Sequence, residues 1–227
     1  MQIRDVVIIG AGPSGLFCAA HLPKNKRVLL LEKSSISASK LLMSAQGRGN
    51  LTNTLLHPLS DYQTSHPAFV AKIFQSYTVR DFLAFLTAHD IAFHEEDNGR
   101  ILLTSRKVSL FRDFLLHQVS EQGGEILYHQ DFQRLEKTKQ GYFILHTLSD
   151  VFYAKQVVLA TGSPSFPQLG SSEIALQVAK DFQLTFIPFY PALVGVETEK
   201  NLSFLAGSSV VGKGALFHRN TLVYQQV

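Results

Sequence analysis

This chain of 227 residues predicts an α/β fold with a central parallel sheet, on three observations. A β-branched run, DVVIIG, ends in a glycine-rich turn and a helix-forming stretch. A second apolar run, RVLLLE, ends on an acid at Glu32. A late run, QVVLATG, is apolar until it stops at Thr161 and Gly162. Short continuous apolar runs of this kind suit strands buried on both faces.

In chain order, DVVIIG is the first strand, PSGLFCAAHL a helix closed by Pro23, and RVLLLE the second strand. TVRDFLAFLTAHD places Val79, Phe82, Leu83 and Leu86 at helical spacing behind Thr78, an N-cap residue type. SLFRDFLLHQVSEQGG repeats the pattern with Leu110, Phe111, Phe114 and Leu115, and Gly123 and Gly124 end it. EILYH, FQRLEK, YFILHT and VFYA are short strand-like runs, expected to form a small antiparallel meander ahead of QVVLATG. A helix is expected from Ser171 or Ser172 to Phe182, with Ile174, Val178 and Phe182 four apart. From Pro188 onward, prolines, glycines and short β runs mark a boundary.

Composition narrows the function classes. The formal charge is +3 with no polybasic block, which predicts neither a nucleic-acid nor a membrane partner. Cys18 is the single cysteine, which rules out an internal disulfide and fits a reducing, cytoplasmic compartment. Cys18 reads as a packing residue within the first helix. The nine histidines show no metal-binding spacing, and no metal site is expected.

GAGPSG, Gly10 through Ala11, Gly12, Pro13 and Ser14 to Gly15, is the chemistry-bearing turn. It follows a strand, opens a helix and precedes a second strand ending in Glu32 and Lys33, within a unit of roughly 30 residues. Gly10 permits the tight turn, Gly12 lets backbone approach a pyrophosphate, and Gly15 lets the helix pack on the strand. The helix N-terminus attracts an anion. Glu32 is suited to accept the hydroxyls of an adenosine ribose and to repel a 2′-phosphate. FAD and NAD share this arrangement, so an NAD-dependent dehydrogenase stays open at this point.

Three further segments carry a family resemblance. Ala160, Thr161 and Gly162 resemble the second signature of two-dinucleotide-binding flavoproteins. KLLMSAQGRGNLTN, Lys40 to Asn53, resembles the KLL.SG.GRCN.TN segment of the HI0933-like or BaiN-like family of NAD(P)/FAD-dependent oxidoreductases. NGRILLTSRK, LATGSPSFPQLGSS and FIPFYPALVGVE are similar to later segments of that family, in family order. The resemblance implies a Rossmann-like FAD/NAD(P)-binding domain. It implies that Lys40, Leu41, Ser44, Gly47, Arg48, Asn50, Thr52 and Asn53 wrap the pyrophosphate and flavin end of FAD. It also implies that reduced NAD(P) is the electron donor.

Departures from the family bear on activity. Gly49 stands where the family has cysteine, and GSSEIAL replaces its Gly-Asp pair. The expectation is therefore an FAD-binding domain over 1–190, incomplete without a carboxyl-terminal return segment, and a fragment of an inserted β-rich domain over 191–227. A partner chain or a homo-oligomer would cover the incomplete fold. A non-catalytic remnant, or one half of a split flavoenzyme, is the other class left open. The sequence names no catalytic acid or base and no small-molecule substrate.

Overall fold

The structure, a computed structural model, describes residues 2–62, 64–165, 167–170, 172–190, 198–205, 207–208 and 214–226. Phe166, Ser171 and the 191–197 stretch that carries the PALVGVE similarity lie outside the described residues. The chain divides into two compact units, Met1–Phe189 and Tyr190–Val227.

The first unit opens with β1 (Ile3–Ile9), α1 (Pro13–Ala20) and β2 (Val28–Leu31), followed by α2 (Ser39–Met43) and β3 (Asn50–Asn53). Next come α3 (Pro67–Ser76), α4 (Val79–Ala88), β4 (Phe93–Glu96), β5 (Arg100–Leu103) and α5 (Val108–Glu121). The unit ends with β6 (Glu125–Leu127), β7 (Phe132–Lys137), β8 (Phe143–Thr147), β9 (Val151–Leu159) and α6 (Ile174–Asp181).

Six strands form one sheet in the order β6-β2-β1-β9-β8-β7. The first four are parallel and the last three antiparallel, which makes this a Rossmann-like α/β fold. Two expectations change here. EILYH joins no meander: its Glu125–Leu127 runs parallel to β2, with Leu30 opposite Ile126. VFYA and QVVLATG are one nine-residue strand, β9. Its first half pairs antiparallel with β8 and nearly its whole length pairs parallel with β1, so meander and parallel sheet are continuous.

Alternation along β1 and β2 divides the core between the two faces of the sheet. Val6, Ile8, Val28 and Leu30 pack with Leu16 and Ala19 of α1 and with Phe111, Leu115 and Val119 of α5. Val7, Ile9, Leu29 and Leu31 pack with Leu135, Leu145 and Val178 on the other face. Within α5 the buried stripe is Val108, Phe111, Leu115 and Val119, whereas Leu110, expected inside, is exposed. A spacing of three then four keeps that stripe in register with 3.6 residues per turn, and Leu110 falls off it. α1 stops at Ala20, short of Pro23, with His21 as its C-cap. α6 starts at Ile174, later than expected, and buries Val178.

α4 begins at Thr78 through a reciprocal capping box, in which Thr78 Oγ1 accepts from the Asp81 N–H and Asp81 accepts from the Thr78 N–H. Its Phe82 and Phe85 lie edge-on to Phe17 of α1. At the start of β1, the Asp5 carboxylate accepts from Lys155 at 2.7 Å and from the Arg27 N–H at 2.9 Å. Lys155 first and Arg27 second hold its carboxyl well below the usual range. These bonds tie β1 to the residue before β2 and to the middle of β9.

Ser44 to Asn53, expected as a loop wrapped on a cofactor, is a single 3-10 turn (Ser44–Gly47) running into β3. β3 pairs antiparallel with β5, and β5 with β4, in a separate three-stranded sheet. In the second unit, β10 (Gly214–His218) and β11 (Thr221–Gln226) form a hairpin. Its turn residues Arg219 and Asn220 both have positive φ, the backbone of a type I′ hairpin turn.

Candidate functional site

β1, β2 and β9 end side by side, so the residues that follow them, Gly10, Glu32 and Ala160, converge. The Gly10 N–H donates to Leu31 O and the Ala160 N–H to Ile9 O, closing the strand ends on one another. Crevices at such strand ends are the usual ligand sites of open α/β sheets.

The three motif glycines are held to different degrees. Gly10 has φ +103°, and a Cβ there would lie 2.5 Å from Ala160 O. A Cβ on Gly15 would lie 2.0 Å from Gly10 O, inside any allowed contact. Both positions exclude a side chain because the protein's own backbone occupies the space. Gly12 meets nothing within 4 Å and has an ordinary φ of −70°. The space beside it is free for a ligand.

Gly12 is also the N-cap of α1, and no side chain caps that helix. The first intrahelical bond runs from Leu16 N–H to Gly12 O, so the N–H groups of Ser14 and Gly15 precede the helical ladder. Pro13 at the first helical turn has no N–H to leave unsatisfied.

Glu32 is fixed by three donors. Its Oε2 accepts from the Ala11 N–H at 2.9 Å, while Oε1 accepts from the Ser34 N–H at 2.9 Å and the Ser34 hydroxyl at 2.7 Å. Ala11 is fully buried and also accepts from the Ala38 N–H, which locks the glycine turn to α2. Lys33 pairs with Asp131 at 3.4 Å, and Lys40 donates to Ser163 O at 3.2 Å.

These groups surround a cleft of about 220 Å³. Gly10, Gly12, Pro13 and Ser14 line it, together with Glu32, Lys33 and Lys40. Ala160, Thr161 and Gly162 also line it, with Lys40 Nζ next to Gly162. Thr161 Oγ1 is buried and has no hydrogen-bond partner among the described residues. An open glycine, an uncapped helix start, a carboxylate with an acceptor position left and an orphaned hydroxyl are a donor and acceptor set that fits a dinucleotide. The volume falls below the roughly 300–1,000 Å³ of pockets that enclose a whole drug-sized ligand, so the cleft suits part of a dinucleotide.

The remaining sequence candidates lie elsewhere. Leu41 is buried in the core beside α5. Ser44 donates to Leu41 O, and Arg48 reaches Glu96 at 3.5 Å. Asn53 donates to Asn98 O and accepts from the Leu55 N–H. Thr52 and Asn53 pair with Ile101 and Arg100, and Asn50 with Leu102. Gly47 and Gly49 both have positive φ, and a Cβ on Gly49 would press within 2.8 Å of Val108. Among the described residues, none from Ser44 to Asn53 lines the cleft.

Sequence reasoning missed Ser34, which fixes Glu32, and the stretches Gln130–Phe132 and Leu169–Gly170, which line the cleft. A serine two residues after the acid was the only local signal for the first. The other two reach the cleft through strand and helix placement alone. Cys18 is half-buried, and burial pushes its thiol pKa up, as expected of a packing residue. Among the described residues no cluster of three metal-ligating side chains occurs, and no helix is long and apolar enough to cross a membrane.

The family model described as the HI0933-like protein Rossmann domain matches residues 4–211. A ribosomal RNA dihydrouridine synthase of Haemophilus influenzae is 31% identical over 216 residues, covering 92% of this chain and 53% of that protein. A 3-dehydro-bile acid delta(4,6)-reductase of Clostridium scindens is 26% identical over 202 residues, covering 88% of this chain and 49% of that protein. The chain thus spans about half the length of the curated relatives it matches. Among solved structures, a 3-ketosteroid-delta4-(5alpha)-dehydrogenase from Rhodococcus jostii RHA1 shares the fold with a TM-score of 0.50. The likeness is at 16% identity and covers 71% of this chain and 46% of that one.

Proposed function

Because the chain belongs to the HI0933-like Rossmann-domain family, we propose that it is the FAD-binding part of a flavin-dependent oxidoreductase. The observation that carries this reading is the open Gly12 at the uncapped start of α1, with Glu32 on the neighbouring strand end. The pyrophosphate lies over Gly12, where the Ser14 and Gly15 N–H groups donate to it and the helix start favours its charge. Glu32 accepts from the adenosine ribose. The Lys40 ammonium sits at the cleft wall, where an anion draws it from Ser163 O. Thr161 offers its buried hydroxyl to the remainder of the cofactor. Bound FAD supplies two-electron oxidation and reduction.

Arg48, Asn50, Thr52 and Asn53 also belong to this proposal, although they do not line the cleft. They border the flavin end of FAD, beyond the part of the dinucleotide that the cleft holds.

The names of the two curated relatives support a substrate class. Making dihydrouridine adds two hydrogens across a carbon–carbon double bond conjugated to a carbonyl, and so does delta(4,6) reduction of a 3-dehydro-bile acid. We place this chain's substrate in that class, with reduced NAD(P) as the source of the two electrons.

Purification without added cofactor, followed by an absorption spectrum and identification of any released chromophore, tests the proposal. Bound FAD, or uptake of added FAD at a one-to-one ratio, is the expected result. A colourless protein that takes up no FAD overturns it.

A further inference from the structure

Counting protons and lone pairs around Glu32 shows that its carboxylate is more occupied than a ribose-binding acid should be. Oε1 accepts two bonds, from the Ser34 N–H and the Ser34 hydroxyl, which uses both of its lone pairs. Oε2 accepts one, from the Ala11 N–H, and keeps one lone pair. With these three bonds in place, Glu32 can therefore accept one ribose hydroxyl, although an adenosine ribose brings two.

The Ser34 hydroxyl has a second acceptor within reach. Its Oγ lies 2.7 Å from Glu32 Oε1 and 2.9 Å from Ile36 O, yet it carries one hydrogen and can donate to only one of them at a time. Rotation about the C–O bond moves that hydrogen to the Ile36 carbonyl with no displacement of a heavy atom. Oε1 then regains a lone pair while the Ser34 N–H still holds it in place.

We propose that Ser34 is a positioning residue that gates the second acceptor position of Glu32: its hydroxyl rests on the carboxylate in the free protein and turns to Ile36 O when a ribose diol arrives. The proposal rests on the reading of the cleft as a nucleotide site. Its consequence is a built-in competition. Diol binding exchanges a charge-assisted bond of Ser34 for a neutral one, so the hydroxyl weakens nucleotide binding while it keeps the free carboxylate solvated and oriented.

Calorimetric titration of the full chain with ADP and with 2′,3′-dideoxy-ADP tests this, on wild type, Ser34→Ala and Ser34→Thr, each first checked for folding by circular dichroism. Ser34→Ala is expected to bind ADP roughly fivefold more tightly, the difference between a charge-assisted and a neutral hydrogen bond. It should bind dideoxy-ADP as wild type does. Ser34→Thr keeps the hydroxyl and should match wild type with both probes. Weaker or unchanged ADP binding in Ser34→Ala overturns the gate. So does a change that appears equally with dideoxy-ADP, or one shared by Ser34→Thr. If wild type binds neither probe, the nucleotide reading of the cleft falls and this inference falls with it. ADP binding that is indifferent to Ser34 removes the gate alone.

Discussion

Two glycine-bearing segments, GAGPSG and SAQGRGNLTN, look alike in the sequence, and the fold treats them oppositely. In the first, Gly10 and Gly15 are squeezed by the backbone of the neighbouring strand end, while Gly12 faces open space. In the second, Gly49 is squeezed by Val108, Arg48 engages Glu96, and Asn53 engages Asn98 and Leu55. Arg48 and Asn53 of the second segment thus have partners within the protein, whereas the first keeps N–H donors unpaired beside the cleft. The turn at α1 leaves them so because a helix start has N–H groups that no local partner reaches. The Ser44–Asn53 segment enters a strand whose backbone pairs with β5, while the side chains of Ser44, Arg48 and Asn53 bond within the protein.

Four substitutions break or sharpen that contrast. Gly15→Ala is the most severe, because a Cβ at 2.0 Å from Gly10 O must separate α1 from β1. We expect a loss of about 3 kcal/mol or outright failure to fold, read by denaturant unfolding. Gly49→Ala combines a positive φ with contact on Val108 and should cost about 2 kcal/mol of stability. ADP affinity should be unchanged in that variant, since Gly49 lies away from the cleft.

Gly12→Ala isolates the ligand's share. No protein atom meets its Cβ and its φ is ordinary, so unfolding midpoints should stay near wild type while ADP binding weakens by about tenfold, or about 1.4 kcal/mol. Equal ADP affinity in Gly12→Ala and wild type would remove the pyrophosphate from that position. The smallest effect belongs to Arg48→Ala. The Arg48–Glu96 pair is partly exposed at 3.5 Å, and its loss should shift stability by less than about 1 kcal/mol in thermal unfolding. A larger destabilisation would mean that Arg48 supports the three-stranded sheet more than this pair does.

Legibility followed the range of the interaction. Thr78 and Asp81 are three residues apart, and the capping box they make was written in the local sequence as a threonine ahead of an apolar stripe. The β1–turn–α1–β2 unit was equally legible, since Gly15 answers to Gly10 within the same short segment and Gly10 to the adjacent strand end. Glu32 was found by its position at the end of β2, whereas Ser34 was not, because its role depends on where Ile36 O and Glu32 Oε1 stand together.

By itself, then, the sequence determined the α/β class, the glycine-rich turn with the acid at the next strand end, and the helices that carry their own caps and stripes. Only the tertiary structure decided which strands meet. EILYH and VFYA are apolar runs of ordinary strand character, and nothing inside them says that one lies parallel to β2 and the other continues into the strand beside β1. The same holds for Asn50 to Asn53, whose partner β5 lies about fifty residues further along the chain. A strand's hydrogen bonds run sideways to residues distant in sequence, so its own residues fix its periodicity while its partner, direction and register are fixed by what else the core must bury.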